Sequence, residues 1–117
     1  MKRILPNTWL ESTPCLIVSV CSALRCGPVV FEADDYPKLR DDGYATLNTA
    51  NKWIRSHLNV RKRVTYKRGE RPKLRELDLD GEAIVCVLGH YIYADKDTYW
   101  SFFDNDDDEV VTVWLLK

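Results

Sequence analysis

Residues 89–109, GHYIYADKDTYWSFFDNDDDE, are the stretch from which we interpret the rest of this chain. Two runs rich in Tyr, Trp, Phe and Ile flank the polar residues Asp95 to Asp97, and the first run alternates as a half-buried β-strand does. A histidine opens the first run and an aspartate closes the second. The pattern therefore predicts a β-hairpin that brings His90 beside Asp104.

The length of the hairpin loop decides whether His90 and Asp104 share a face of the sheet. Directly opposed side chains of an antiparallel pair lie on one face, and a shift of one residue moves every side chain to the other face. The segment has no glycine to favour the primed two-residue turns, and Asp97 tolerates a left-handed backbone. We therefore expect a three-residue loop and Cβ atoms roughly 5 to 7 Å apart, whereas a two-residue loop would separate the two side chains.

A histidine beside a carboxylate is held in one tautomer and is a stronger base, so we searched for a nucleophile that it could serve. Thr13 suits a helix N-cap and Pro14 the first helical position, and the apolar run that follows is typical of a buried helix. Cys15 then lies in the first turn, where the helix dipole favours the reactive thiolate. We predict that Cys15 is the nucleophile.

A cysteine at the start of an N-terminal helix, a Gly-His pair opening a later strand and an aspartate ending the next strand resemble the papain-like cysteine peptidases. The likeness is to small bacterial and phage members, and it covers residues 13–23 and 74–114. It implies an α+β fold in which the cysteine-bearing helix packs on a small antiparallel sheet or half-barrel. It also implies hydrolysis of an amide or isopeptide bond in a peptide or protein substrate, without a cofactor.

Carried onto this sequence, the resemblance implies that Cys15 is the nucleophile, His90 the general base and Asp104 the group that orients the imidazole. Members of the superfamily usually have a Gln or Asn shortly before the cysteine that helps to bind the oxyanion. The only amide side chain upstream of Cys15 is Asn7, which is therefore the candidate oxyanion donor.

Hydrophobic periodicity along the remaining sequence predicts a single α+β domain over residues 1–117, with two helices followed by about four antiparallel strands. Residues 1–12 have no regular pattern and are expected to form an irregular lead-in. The predicted helices are Cys15 to about Arg25 and Tyr44 to Leu58, with a helical turn from Leu74, and the strands outside the hairpin are Arg61–Tyr66, Ala83–Leu88 and Val110–Leu116.

The composition is that of an ordinary globular protein. The 117 residues include 17 basic and 18 acidic side chains, for a net charge of −1. No apolar run approaches the roughly 20 residues of a membrane span, and the first residues lack the pattern of a signal peptide. We expect a cytoplasmic protein whose four cysteines are thiols.

Neither calcium nor zinc is predicted. Residues 104–109 form an acidic run, but they lack the glycine and the spacing of an EF-hand loop. The spacing of Cys15, Cys21 and Cys26 does not match that of structural zinc sites.

Two other functions remain open from the sequence. One is a non-catalytic protein-binding module on the same fold, as a phage or mobile element could encode. The other is a nucleic-acid binder, because residues 55–75 hold nine basic side chains against one acidic side chain and include Tyr66. A solvated edge strand would have the same pattern, and the near-zero net charge disfavours nucleic acid as the partner.

Overall fold

The computed structural model describes residues 1–5, 15–25, 37–41 and 44–117, which contain two helices and six strands. In chain order, these elements are β1 (Lys2–Ile4), α1 (Cys15–Leu24), α2 (Leu47–His57), β2 (Val60–Thr65), a 3-10 turn (Leu74–Glu76), β3 (Glu82–Val87), β4 (His90–Asp95), β5 (Thr98–Trp100) and β6 (Val110–Leu116). The predicted helices and the strands after them are therefore confirmed within a few residues of their ends. Neither helix of the described chain has the length and apolar character that a membrane span requires.

The six strands form one mixed sheet in the order β1-β5-β4-β3-β6-β2. All neighbouring pairs are antiparallel except β1 and β5, which run parallel. The α+β prediction is thus confirmed, but the prediction that residues 1–12 begin as an irregular lead-in is wrong for Lys2–Ile4. Three residues are too few to reveal a period of two, and this strand exists because β5 offers it an unpaired edge.

The two faces of the sheet bury different apolar clusters, because successive side chains of a strand point to opposite faces. Helices α1 and α2 cover one face, and the 3-10 turn lies over the other. The first face holds Leu16, Ile17, Val20, Ala50, Trp53, Ile54, Ile84, Cys86, Tyr91, Tyr93, Val111 and Trp114. The second holds Leu74, Ala83, Val85, Val87, Ile92, Ala94, Tyr99, Val110 and Val113.

Both helices follow from their sequences. Helix α1 is apolar almost all round, as is typical of a buried helix, and its residues from Leu16 to Cys21 are buried. Helix α2 is amphipathic, and Thr46 caps it by accepting a hydrogen bond from the Thr49 amide at 3.3 Å. Trp114 of β6 donates from Nε1 to Asn51 Oδ1 at 3.0 Å and so joins α2 to the sheet.

The β4–β5 hairpin has a two-residue loop, so the prediction of a three-residue loop is wrong. Asp95 pairs with Thr98, and Tyr93 pairs with Trp100. The loop closes without glycine because Lys96 adopts a positive φ of 55°. This register removes the argument that placed Asp104 on the same face as His90.

Candidate thiol site

Cys15 is the first described residue of α1, and its side chain lies against the edge of β4. Its Sγ accepts a hydrogen bond from the backbone N–H of Tyr91 at 3.4 Å. That amide is available because β5 pairs with β4 only from Tyr93 onward. Tyr91 directly follows His90 in the chain, so the fold brings the thiol to the backbone at the start of β4, 76 positions away in sequence.

The thiol of Cys15 is protonated at neutral pH. Burial raises its pKa, and hydrogen bonds from the backbone amides of Tyr91, Leu16 and Cys15 itself oppose that effect without cancelling it. The expectation that the start of the helix would favour the thiolate is therefore not met, because desolvation outweighs the nearby N–H groups. A base is needed to activate this sulfur.

His90 begins β4 after a tight turn in which Gly89 adopts a φ of 77°. Its Nε2 lies 3.3 Å from Ser101 Oγ, and its ring meets the ring of Phe103 edge-on at 5.6 Å. Burial lowers the pKa of His90, and the charge of Asp108 partly opposes this. The imidazole is therefore neutral at neutral pH and able to accept a proton.

A chain of hydrogen bonds behind His90 determines which ring nitrogen carries the proton. Asn105 Nδ2 donates to Asp108 Oδ2 at 2.7 Å, so the amide oxygen of Asn105 faces Ser101 and accepts the Ser101 hydroxyl proton at 2.5 Å. A hydroxyl has one proton, so Ser101 Oγ can only accept from His90. Nε2 then carries the hydrogen, and Nδ1 keeps the free lone pair of a base. We call Ser101, Asn105 and Asp108 the histidine relay.

Within the described residues, no hydrogen bond joins Asp104 to the His90 ring. Its Oδ1 accepts from the Tyr99 hydroxyl at 3.3 Å and from the Asp106 amide at 3.1 Å, and the residue is exposed. Asp104 thus supports the first turn of the acidic loop. Asn7, Thr13 and Pro14 lie outside the described residues.

Cys15 and His90 meet through the backbone and not through their functional atoms. The ring of His90 starts on the face of β4 shared by Ile92, opposite the face that carries Tyr91 and α1. No hydrogen bond between Sγ and a ring nitrogen occurs in this part of the described structure. A contact between Sγ and Nδ1 would therefore require the two side chains to approach each other around the edge of β4.

The histidine relay is the part of the site that sequence reasoning missed. Strands β4 and β5 pair Tyr93 with Trp100. If the same pairing is continued three residues further from the loop, Phe103 lies opposite His90. Ser101 and Asn105 then fall on the diagonal positions. The sequence SFFDN contains both Ser101 and Asn105, but only the correct loop length shows that they are neighbours of His90.

No family model, curated protein or solved structure matches this chain. The function must therefore be argued from the chemistry of the site.

Proposed function

We propose that the protein is a papain-like cysteine hydrolase of amide or isopeptide bonds, with Cys15 as nucleophile and His90 as general base. The observation that carries the proposal is the hydrogen bond from the Tyr91 amide to Cys15 Sγ. This hydrogen bond places Cys15, at the start of α1, next to Tyr91. Tyr91 directly follows His90, whose Nδ1 carries a free lone pair. In this proposal the histidine relay takes the orienting role that sequence analysis gave to Asp104.

Because the ring of His90 and helix α1 lie on opposite faces of β4, the reaction requires a local movement at the start of β4. This movement must bring His90 Nδ1 within hydrogen-bonding distance of Sγ when substrate is bound. Nδ1 then takes the thiol proton while sulfur attacks the carbonyl carbon, and the backbone N–H of Cys15 stabilises the oxyanion. The imidazolium returns the proton to the leaving amine as the C–N bond breaks, which leaves a thioester on Cys15. Water attacks the thioester with His90 as base, releases the carboxylic acid and restores the thiol.

The neutral resting pair suits this mechanism. A thiol with a raised pKa and an imidazole with a lowered pKa stay uncharged in their partly buried site until the substrate arrives. General-base catalysis typically contributes about 10²- to 10⁴-fold to a rate, so most of the reactivity should depend on His90.

Alkylation by iodoacetamide tests the pair, with peptide mass spectrometry locating the modified cysteine. We expect His90→Ala to slow alkylation of Cys15 at neutral pH by at least about tenfold, because the base is lost. His57→Ala is the matched control, because His57 is the other histidine and lies at the end of α2. In this variant Cys15 should be alkylated at the same rate as in the unmodified protein.

Turnover of p-nitrophenyl acetate tests hydrolysis itself. We expect a burst of nitrophenol from acylation of Cys15, then steady release as water cleaves the thioester, and both should vanish in Cys15→Ser. If Cys15 alkylates equally fast in His90→Ala and no acyl group is found on it, the protein is not a hydrolase. The non-catalytic binding module would then be the better explanation.

A further inference from the structure

Strand β2 forms one edge of the sheet and is densely basic. Among the described strands only β6 pairs with it, and Arg61, Lys62 and Arg63 are exposed along it. Lys67 and Arg68 are exposed in the turn that follows. We call these five residues the basic edge.

The basic edge has little acidic compensation in the described chain. Arg61 pairs with Asp80 at 3.0 Å, but both side chains are largely exposed, and such pairs contribute little. The other four cations form no ion pair within residues 1–5, 15–25, 37–41 and 44–117. Within the described residues, ion pairs thus neutralise only a small part of the basic edge.

The acidic side chains of the loop after β5 are engaged elsewhere. Asp107 pairs with Arg75 at 3.1 Å, and Asp108 accepts a hydrogen bond from Asn105. They lie by the 3-10 turn, whose Leu74 amide donates to the Asp108 carbonyl. These two carboxylates therefore interact with Arg75 and Asn105, and neither pairs with a cation of the basic edge.

We propose that the basic edge binds the phosphate backbone of a nucleic acid. Successive side chains of β2 point to opposite faces of the sheet, so Lys62 and Arg63 project on the two sides of its outer edge. Lys67 and Arg68 extend this row of positive charge into the turn that follows. A linear polyanion can contact such a line without entering a pocket. The near-zero net charge does not oppose this binding, because nearby charges dominate the local field.

The surroundings of the basic edge favour phosphate contacts over the other anionic partners. The exposed large apolar residues of the described chain are Ile4, Leu5, Leu24, Leu88 and Phe103, and none of them lies on β2 or its turn. Inserted apolar side chains strengthen binding to a membrane surface, and apolar anchors at the centre of an interface strengthen binding to a protein. Phosphate binding needs neither.

The binding should not depend on base sequence. Tyr66, the aromatic residue of this segment, is half-buried and packs against the second apolar cluster, so it is not free to stack on a base. Contacts made by Lys and Arg to phosphates position a nucleic acid without reading it. The affinity should therefore fall steeply with salt for any sequence.

The basic edge is separate from the thiol site. Strands β3 and β6 lie between β4 and β2, which places the two sites roughly 14 Å apart across the sheet. Variants of the basic edge should therefore leave alkylation of Cys15 unchanged, and the two proposals can fail independently.

Fluorescence anisotropy of a labelled single-stranded DNA of about 20 nucleotides and mixed sequence, with its duplex in parallel, tests the proposal. If the basic edge contacts four phosphates of the single strand, raising the salt concentration from 50 to 200 mM should lower the affinity about 50-fold. The double variant Lys62→Gln, Arg63→Gln should weaken binding and reduce the slope of log affinity against log salt by about 1.4.

The control is the double variant Lys2→Gln, Arg3→Gln, which removes two exposed cations from β1 at the other edge of the sheet. It should retain the affinity and the slope of the unmodified protein. The proposal is overturned if neither DNA binds at about 50 mM salt, if the affinity does not depend on salt, or if the two double variants lose equal affinity. Tighter binding of a poly-glutamate peptide would overturn it in favour of an acidic protein partner.

Discussion

Asn105 is a buried amide that connects the charge of Asp108 to the ring of His90. It is 4 % exposed, and Ser101, to which it is bonded, is 2 % exposed. Its backbone N–H also donates to the Tyr99 hydroxyl at 3.0 Å. Because both ends of the amide have partners, its orientation is fixed, and so is the tautomer of His90.

Removal of the Asn105 amide should cost stability. Asn105→Ala leaves the buried Ser101 hydroxyl without its acceptor, and we expect the free energy of unfolding to fall by about 1 to 3 kcal/mol in urea titrations. Asn59→Ala is the control, because Asn59 is exposed, and it should change stability by less than about 0.5 kcal/mol. Equal losses in the two variants would show that the relay is not formed.

Sequence reasoning at the residue scale located Cys15 and His90 on the correct elements but not the groups around them. A helix start and a strand start have local signals, because caps, apolar runs and glycines act on their neighbours. The protonation of Cys15 depends on burial by elements distant in sequence, and the partner of His90 depends on register. Neither is encoded locally.

At the scale of elements, the long apolar patterns were predictable and the short pairings were not. Strand β6 was predicted with its observed ends, Val110 and Leu116, because apart from Thr112 it is apolar and it is rich in valine. Strand β1 was missed because three exposed residues carry no periodicity. The β4–β5 loop was assigned the wrong length because Lys96 adopts a conformation that lysine seldom takes.

The strain at Lys96 provides a test of the two-residue loop. Lys96→Gly should raise the free energy of unfolding by about 0.5 to 1 kcal/mol, since glycine adopts a positive φ without steric cost. Asp97→Gly is the matched control in the same loop. Asp97 has a negative φ, so glycine at this position relieves no strain and only increases the entropy of the unfolded chain. Asp97→Gly should therefore lower the free energy of unfolding, which urea titrations of both variants measure. A three-residue loop centred on Asp97 would give the opposite ranking.

At the scale of the whole molecule, buried ionisable groups limit stability on both sides of neutral pH. Burial lowers the pKa of His90, so below its ordinary value of about 6.5 the unfolded chain binds a proton that the folded chain does not. Burial raises the pKa of Cys86 to about 11 and that of Tyr44 to about 12. The unfolded chain therefore releases protons at alkaline pH that the folded chain retains.

We expect the free energy of unfolding to be greatest between about pH 7 and pH 8.5 and to decrease on either side. The alkaline decrease should extend to about pH 12, because folded Cys86 ionises near pH 11 and folded Tyr44 near pH 12. Urea titrations across this range measure it. His90→Gln should flatten the decrease between pH 7 and pH 5, and Cys86→Ala should flatten the alkaline decrease. Unchanged profiles in both variants would contradict the burial of these groups.

The fold class follows from composition and periodicity, but the order of strands in the sheet does not. Two amphipathic or apolar helices and several apolar strands permit only a layered α+β arrangement. The basic residues of β2 allowed an edge strand, and β2 does lie at one edge, but the sequence did not indicate that Lys2–Ile4 would form the other edge. That order arises from long-range packing on both faces of β3 and β4.

The position of β3 and β4 at the centre of the sheet sets a gradient of amide protection. Both strands are paired on two sides and covered on both faces, whereas β1 and β2 each have a single neighbour. Deuterium uptake should be slowest at Ile84 and Val85, which open only when the whole domain unfolds, and fastest at the two outer strands. The strand that carries His90 would thus stay folded while the two outer strands of the sheet open and close locally.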